Sequence, residues 1–433
     1  MKRSAPVVIV DNGASSIKAG WSVLMTQNRG AIIPNAIVRS KGDKTAYVGH
    51  EMAKCRDYAS LNYRLPFEKG YLVDWDAQKA IWDGMFSNEV FGVNTAESSL
   101  LITEPCFDLP NLQDVYDQFV FEEYEFLSYY RCAPASLIPH GSLFAQPGLC
   151  TPECTLVIDS GFSFTHIVPI MKGSVIWNAV KRIDVGGKLL TNHLKELASF
   201  RQWNMMDETY IINDIKESCC YVSQAFDGDL EICRQPVGTC PEGRESLEEG
   251  FQVLYMNNER FTVPEIIFHP TDIGLRQSGI AETVAACISL LPEDLQGMFW
   301  ANIGLIGGST KFPGFRERLM SELRSLAPVD CEVAIYSSSD PITEAYSSAV
   351  SFAHDMDFSK CAVTREEYLE MGSNACRRKF KDWKPIEKEG TRGREQLKGK
   401  AAARMRDDDD NSPPPAKKGA RGKGKARAGA ARR

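Results

Sequence analysis

Two short stretches decide the fold of this 433-residue sequence: residues 7–13 read VVIVDNG, and residues 156–161 read LVIDSG. Each is an apolar strand that ends in an Asp-x-Gly turn. A second strand candidate follows each turn, at residues 17–21 and 165–170. Asn-Gly between apolar runs favours a hairpin, because Asn and Gly tolerate positive φ. Two copies of this unit predict a duplicated domain with a ligand between its halves.

The first turn is suited to an anion. Its small residues let backbone N–H groups converge on a phosphate, and they are Asn12, Gly13, Ala14, Ser15 and Ser16. Lys18 would supply positive charge behind them. Asp11 would repel a phosphate, so we expect it to hold Mg²⁺ through water molecules. Taken alone, the turn could equally be an ordinary hairpin with a solvated aspartate.

The second turn favours a phosphate site over an ordinary hairpin. Residues 159–163 (DSGFS) would grip the phosphates from the opposite side, with Asp159 facing the same metal. A third element, residues 303–314 (IGLIGGSTKFPG), is a strand that ends in Gly307-Gly308 and precedes a predicted helix at residues 315–323. Glycines there would let the backbone approach a flat ring or a sugar. The element lacks the Gly-Lys-Ser/Thr of a P-loop.

Composition fits a large globular protein, with 43% hydrophobic and 25% charged residues. The apolar runs are only a few residues long, so we expect neither a membrane span nor a signal peptide. Up to Trp383, strand candidates alternate with amphipathic helices, predicted at residues 76–86, 187–199 and 279–290. This alternation favours an α/β architecture.

The C-terminal end has a different composition. Residues 384–433 contain 16 Lys and Arg against 7 Asp and Glu, a net charge of +9 in a chain whose net charge is −7. They contain no aromatic residue, and we predict that they are disordered. The final basic stretch, residues 416–433, could be a nuclear import signal, a contact to DNA phosphates or only a solubilising end. The first two can coexist.

Together these motifs resemble the actin family. The two Asp-x-Gly turns, with residues 165–169 (THIVP), resemble its phosphate loops, and residues 307–314 resemble its adenosine loop. Further similarity is spread over residues 5–380. The resemblance implies an α/β actin-like ATPase fold with two lobes and a nucleotide cleft between them. It places the first lobe at residues 1–145 and 337–383, the second at 146–336 with a variable insertion at about 219–250, and a disordered basic tail at 384–433.

The resemblance also implies a ligand, ATP or ADP, with Mg²⁺ held through water by Asp11 and Asp159. Lys216 and Glu217 match residues that line the purine and ribose in actin. The complete set of implied nucleotide-binding residues is Asp11, Asn12, Gly13, Ala14, Ser15, Ser16, Lys18, Asp159, Ser160, Gly161, Phe162, Ser163, Gly187, Lys216, Glu217, Gly307, Gly308, Ser309, Lys311 and Phe312.

Several departures from actin predict weak catalysis. Actin positions its attacking water with a Gln and a His. His166 matches the His, but no Gln occurs between residues 118 and 146. Phe162 stands where actin places an acid beside the metal, Ser163 replaces a Gly, and Ala14-Ser15 replaces Ser-Gly. We therefore expect nucleotide binding with little or no hydrolysis. Without its partner, His166 could instead be a satisfied core histidine.

Other departures concern assembly. Residues 38–47 are shorter than the actin stretch that inserts into the next subunit of a filament, so we expect no homopolymer. Residues 219–250 look enlarged, and they could be a partner dock or only a variable surface loop.

Residues 65–75 (LPFEKGYLVDW), 159–169 and 340–345 (DPITEA) resemble a nuclear branch of the actin-related proteins. That resemblance implies a non-enzymatic scaffold subunit of an SWR-type chromatin-remodelling complex, which exchanges a variant histone into nucleosomes. Its implied partners are the other subunits of the complex and the nucleosome, with no membrane. Its implied location is the nucleus, with some protein in the cytoplasm. The alternative is an active ATPase of the fold shared by actins, chaperones and sugar kinases.

Overall fold

The computed structural model describes residues 5–22, 30–42, 44–59, 61–234, 254–355 and 358–380. The chain divides into two compact units, residues 1–383 and 384–433. The second unit, with the predicted disordered basic tail, lies outside the described residues. So does half of the predicted insertion, from residue 235 onward.

The strands follow the alternation that the sequence predicts. They are β1 (Val7–Asn12), β2 (Ser16–Trp21), β3 (Ala31–Pro34), β4 (Ile37–Arg39), β5 (Ala46–Val48), β6 (Asn62–Arg64), β7 (Phe67–Glu68), β8 (Tyr71–Leu72), β9 (Ser99–Thr103), β10 (Ser128–Cys132), β11 (Cys154–Ser160), β12 (Thr165–Met171), β13 (Ser174–Val175), β14 (Lys181–Ile183), β15 (Ile303–Ile306), β16 (Ile335–Ser337) and β17 (Val363–Thr364).

The helices lie between these strands. They are α1 (Trp75–Phe86), α2 (Pro110–Gln118), α3 (Gly187–Arg201), α4 (Thr209–Cys219), α5 (Phe226–Arg234), α6 (Glu259–Glu265), α7 (Ile280–Ile288), α8 (Glu293–Trp300), α9 (Phe315–Leu326), α10 (Glu344–Asp355), α11 (Phe358–Cys361), α12 (Arg365–Met371) and α13 (Asn374–Lys379). The four predicted helices are confirmed as α1, α3, α7 and α9, with ends that differ by at most three residues.

Two sheets share one plan, which confirms the predicted duplication. The first has the order β17-β10-β9-β1-β2-β3, and the second has the order β13-β12-β11-β15-β16, with β14 also paired to β12. In each sheet a central strand, β1 or β11, pairs antiparallel with the next strand and parallel with a much later one. The Asp-x-Gly turns therefore occupy equivalent places at the ends of the two central strands.

Separate cores support the two sheets. One apolar cluster draws its buried residues from positions 154–335, and another draws them from positions 8–129 and 363–380. A smaller cluster joins them, in which Val157 and Ile306 pack with Ala133, Ala135 and Ala345. The central strand β1 is buried along its whole length, as expected of a strand covered on both faces. The exact lobe boundaries stay a prediction.

A small third sheet has the order β5-β4-β6. Strands β4 and β5 form an antiparallel hairpin in which Arg39 pairs with Ala46, so only residues 40–45 connect them. The sheet has its own core around Val38, Met52 and Leu61. None of the helices in the described part of the chain is long and apolar enough to cross a membrane.

Candidate functional site

The two hairpins and the turn after β15 meet around a cavity of about 430 Å³. Nineteen of the twenty predicted nucleotide-binding residues line it, and Ser160 is the exception. The cavity also has lining residues that the sequence interpretation did not assign to nucleotide binding: Phe67, Gly70, Thr103, Glu104, Pro105, Cys106, Pro134, Phe164, His166, Asn213, Pro341 and Ile342. The three motifs, far apart in the chain, thus form a single site.

Ser160 is a correction to the predicted set. It follows Asp159 on β11, and successive side chains of a strand point to opposite faces. Because Asp159 faces the cavity, the Ser160 side chain points into the protein. It is fully buried, and its hydroxyl hydrogen-bonds the Thr165 hydroxyl at 2.9 Å. The Ser160 side chain therefore supports the hairpin and does not line the cavity.

The first hairpin holds the carboxylate of Asp11 in a fixed position. Thr103, the last residue of β9, donates its hydroxyl to Asp11 Oδ1 at 2.7 Å. The same hydroxyl accepts the backbone N–H of Asn12 at 3.1 Å. On the other side, Lys18 Nζ lies 3.4 Å from Asp11 Oδ2. Thr103 joins the site because β9 runs parallel to β1, which brings the carboxyl ends of both strands to one edge.

The second hairpin is braced by the start of α3. The N–H of Gly187 donates to the Gly161 carbonyl at 3.0 Å, and the N–H of Lys188 donates to the Phe162 carbonyl at 2.8 Å. A Cβ on Gly186 would lie 2.6 Å from the Phe162 carbonyl oxygen, so only glycine allows this contact. The N-terminal end of a helix favours anions, and here it lies against the loop.

Two of the carboxylates that line the cavity, Asp11 and Asp159, are only partly compensated by positive charge. Burial raises the pKa of Asp159 to about 6, with the Asp11 carboxylate adding to the effect and Lys18 opposing it. The ionised pair is therefore unfavourable without a further positive charge. Mg²⁺ prefers carboxylate and water oxygens, and this donor set fits it.

The third element approaches the second hairpin closely. Gly307 has φ of +91°, and a Cβ there would lie 2.4 Å from the Ser160 carbonyl oxygen. Both facts require glycine. The Ser309 hydroxyl donates to the Gly161 carbonyl at 3.4 Å. The Gly-rich turn thus lies directly against the second phosphate-loop candidate.

Helix α4 supplies one wall. The buried Lys216 ammonium donates to the Thr191 hydroxyl at 3.0 Å, the Asn213 side chain at 2.9 Å and the Gly187 carbonyl at 3.3 Å. These contacts use all three N–H donors of the Lys216 ammonium. Lys216 therefore holds the residues of this wall together. Burial lowers its pKa. Glu217 accepts from Asn213 at 2.7 Å and is otherwise exposed.

Two buried polar atoms in the cavity lack partners. No described residue lies within hydrogen-bonding distance of His166 Nε2 or of Asn12 Oδ1, although both residues are at least nine-tenths buried. Burial lowers the pKa of His166 to about 3, with Arg182 adding to the effect, so its ring is neutral near pH 7. Buried polar atoms normally have partners. A bound ligand or its water shell would supply them here, and His166 is not a fully satisfied core histidine.

Glu104, which follows Thr103 in the chain, has two buried side-chain partners. Glu104 forms a buried ion pair with Arg131, whose side chain has no exposed surface. It also accepts from the Gln113 side chain at 2.8 Å. Glutamine is absent from the described residues that line the cavity, in agreement with the gap that the sequence indicated. Burial, together with nearby Asp159, raises the pKa of the Cys106 thiol.

Comparison with known proteins agrees with this geometry. The family model described as Actin matches residues 2–381, and the chain belongs to the actin family. The chain is 48% identical over 415 residues to the actin-like protein ARP6 of Cryptococcus neoformans, covering 87% of this chain and 84% of that protein. It is 40% identical to the actin-like protein ARP6 of Yarrowia lipolytica, covering 86% and 97%. It is 35% identical to actin-related protein 6 of Drosophila melanogaster, covering 84% and 97%.

Proposed function

We propose that this protein is a scaffold subunit of a nuclear chromatin-remodelling complex of the SWR type, which exchanges a variant histone into nucleosomes. In this proposal it binds ATP or ADP with Mg²⁺ in its cleft, hydrolyses it slowly or not at all, and does not form filaments. It acts in the nucleus, with some protein in the cytoplasm. Its partners are the other subunits of the complex and the nucleosome.

The observation that carries nucleotide binding is the convergence of three motifs on one cavity. Two Asp-x-Gly hairpins face each other across it, and the Gly307 turn lies against the second one. The unpartnered Asn12 and His166 atoms and the buried carboxylates call for a ligand that brings hydrogen bonds and positive charge. A nucleotide with its metal ion has both properties.

Asp11 and Asp159 would hold Mg²⁺, which would neutralise phosphate charge. Lys18 supplies a fixed positive charge beside Asp11. Thr103 keeps the Asp11 carboxylate in one orientation. Helix α3 places its N-terminal end at the loop of residues 161–163.

Slow hydrolysis is supported by the composition of the cavity wall. Orienting the attacking water contributes strongly to phosphoryl transfer. The described lining offers His166 but no glutamine, and Glu104 is held by Arg131 and Gln113. The absence of filaments is supported by the tight β4–β5 hairpin, whose connection of residues 40–45 is too short to reach into a neighbouring subunit.

The chromatin role is supported by the sequence. Residues 65–75 and 340–345 resemble a nuclear branch of the actin family, and the relatives named above are called actin-like protein ARP6 or actin-related protein 6. Residues 384–433 add a net charge of +9 to an otherwise acidic chain. A basic segment suits nuclear import or contact with DNA phosphates.

Nucleotide binding is tested by purifying the chain, denaturing it and identifying the released nucleotide by chromatography. Asp159→Asn removes one metal ligand, and Asp272→Asn, an exposed aspartate in the same part of the chain, is the matched control. We expect one nucleotide per chain in the control and little in the Asp159 variant. An empty cleft in the unmodified protein would refute nucleotide binding.

The remaining parts of the proposal need separate measurements. Affinity purification of the tagged full-length chain from nuclei should recover a stable assembly with a remodelling ATPase. Recovery of the chain alone would refute the scaffold role. ATP turnover near that of ordinary kinases, about 1–100 per second, would favour the ATPase alternative. Sedimentation with Mg-ATP should leave the protein in the supernatant, and a filament pellet would refute the proposed lack of polymerisation.

A further inference from the structure

Helix α4 presents a closed set of hydrogen bonds to the cavity, formed around Lys216, Asn213 and Glu217. The Lys216 ammonium donates to the Thr191 hydroxyl at 3.0 Å and to Asn213 Oδ1 at 2.9 Å. Its third contact is the Gly187 carbonyl at 3.3 Å. The Thr191 hydroxyl lies 3.0 Å from Asn213 Oδ1, and the Asn213 amide donates to Glu217 Oε1 at 2.7 Å. These side chains therefore satisfy one another without a ligand.

The burial of Lys216 holds this arrangement in place. The residue is only 5% exposed, and burial lowers its pKa. Turning the ammonium toward a ligand would leave its three acceptors inside the wall without their donor. Because an unsatisfied buried polar group costs at least as much as a new hydrogen bond gains, Lys216 is a poor donor to a bound nucleotide.

The unpartnered polar atoms of the cavity lie at its other end. Within the described lining, the buried polar atoms without a partner are Asn12 Oδ1 and His166 Nε2. Asn12 follows Asp11 on β1, and His166 is the register partner of Asp159 in the β11–β12 pair. Both residues therefore belong to the end that holds the two carboxylates, where the phosphates and the metal ion would bind.

The turn after β15 also has its polar side chains engaged. The Ser309 hydroxyl donates to a carbonyl of the second hairpin at 3.4 Å. The Lys311 ammonium lies 3.6 Å from Asp340 Oδ1, and both side chains are about half exposed. Phe312 and Ile342 add apolar residues to the lining. Apolar and aromatic groups contact the face of a base, which all bases share, and not the edge where they differ.

We propose that the cleft does not select its nucleotide by the base, and that it binds guanine nucleotides about as tightly as adenine nucleotides. The inference rests on nucleotide binding in the cleft. A site selects strongly when its buried polar groups are left unpaired by the wrong ligand, and the α4 network is already paired. Glu217 is exposed and can accept a further hydrogen bond, but adenine and guanine both carry an amino group, and both nucleotides carry the same ribose hydroxyls.

The test offers both bases to the same protein. The nucleotide-stripped full-length chain is incubated with equimolar ATP and GTP and with Mg²⁺, freed of unbound nucleotide by gel filtration, denatured, and analysed by chromatography for total adenine and guanine nucleotide. Counting by base removes any effect of hydrolysis. We expect both, in amounts that differ by less than about fivefold, the typical net effect of one hydrogen bond. A larger excess of either base would refute the inference and leave nucleotide binding intact. Recovery of neither nucleotide would instead refute the proposed nucleotide function.

A pair of variants tests the role of Lys216. Lys216→Met keeps the aliphatic stem and removes the ammonium, and Lys172→Met makes the same change where the side chain is 70% exposed, just after β12. We expect Lys216→Met to weaken binding of both nucleotides by a similar factor, because the ammonium holds the wall and contacts no base. An adenine-to-guanine ratio that changes by more than about fivefold in this variant alone would refute the inference. If the variant binds neither nucleotide, the competition in the unmodified protein decides.

Discussion

Asp159→Asn should stabilise the protein without ligand while it weakens binding of Mg-ATP. The carboxyl group is partly buried, and burial together with the Asp11 carboxylate raises its pKa from an ordinary value of 3.8 to about 6. A tenfold change in acidity corresponds to about 1.4 kcal/mol, so ionised Asp159 lowers the free energy of unfolding by about 3 kcal/mol. Asparagine has nearly the same shape and no charge. The variant should therefore gain most of that free energy.

The raised pKa of Asp159 determines how its effect on the free energy of unfolding changes with pH. Because the pKa in the folded state is above that in the unfolded state, the folded state retains the proton more firmly. The destabilisation is complete above about pH 6, shrinks as pH falls below 6 and disappears near pH 4. The melting temperature of the variant should exceed that of the unmodified protein by about 3–6 °C at pH 8. The difference should be about halved at pH 5.

Thermal melts of nucleotide-stripped protein at pH 8, 6 and 5 make the comparison, with Asp272→Asn as the exposed control. His166, whose pKa is lowered, favours the opposite pH trend, but it is present in both proteins and cancels in the difference. With saturating Mg-ATP the order should reverse, because only the unmodified protein gains ligand stabilisation. A difference that is absent at pH 8, or that does not change with pH, would refute the claim that Asp159 is a buried, uncompensated carboxylate.

Three further predictions concern the supports of the site. Thr103→Val removes a hydroxyl that bonds the Asp11 carboxylate and the backbone N–H of Asn12, so it should lower the free energy of unfolding by about 1–3 kcal/mol and weaken ATP affinity in titration calorimetry. Gly307→Ala should lower the melting temperature far more than Gly148→Ala, because both have positive φ but only Gly307 has backbone within 3 Å of the new Cβ. Arg131→Ala leaves Glu104 buried without its partner and should lower the free energy of unfolding by about 3–5 kcal/mol in urea titration; a loss below 1 kcal/mol would contradict this.

The central hairpins could be predicted from sequence because their signals are local. An apolar run that ends in Asp-Asn-Gly or Asp-Ser-Gly specifies a strand and its turn within about ten residues. The pairing partners could not be predicted in this way. β1 lies beside β9, about 90 residues later, and no local pattern encodes that neighbour. The chain brings them together because both strands are buried on both faces.

The same distinction applies to the site. Asp11, Asp159 and Gly307 follow strands with clear motifs, so their convergence was predictable from the duplicated pattern. Thr103 was missed, although it ends a buried strand, and the carboxyl ends of parallel strands are where α/β sheets place ligands. Ser160 does not line the cavity, because it follows Asp159 on β11 and successive side chains of a strand point to opposite faces.

The electrostatics of the cleft set a condition for the proposed scaffold role. If ionised Asp159 lowers the free energy of unfolding of the empty protein by about 3 kcal/mol, a ligand must contribute about that much to offset the loss. Binding at a concentration 100 to 1,000 times the Kd contributes about 2.7–4 kcal/mol. A nucleotide with a Kd hundreds of times below its cellular concentration would therefore offset the strain in the cleft without being hydrolysed. In that case the nucleotide acts as a structural part of the protein.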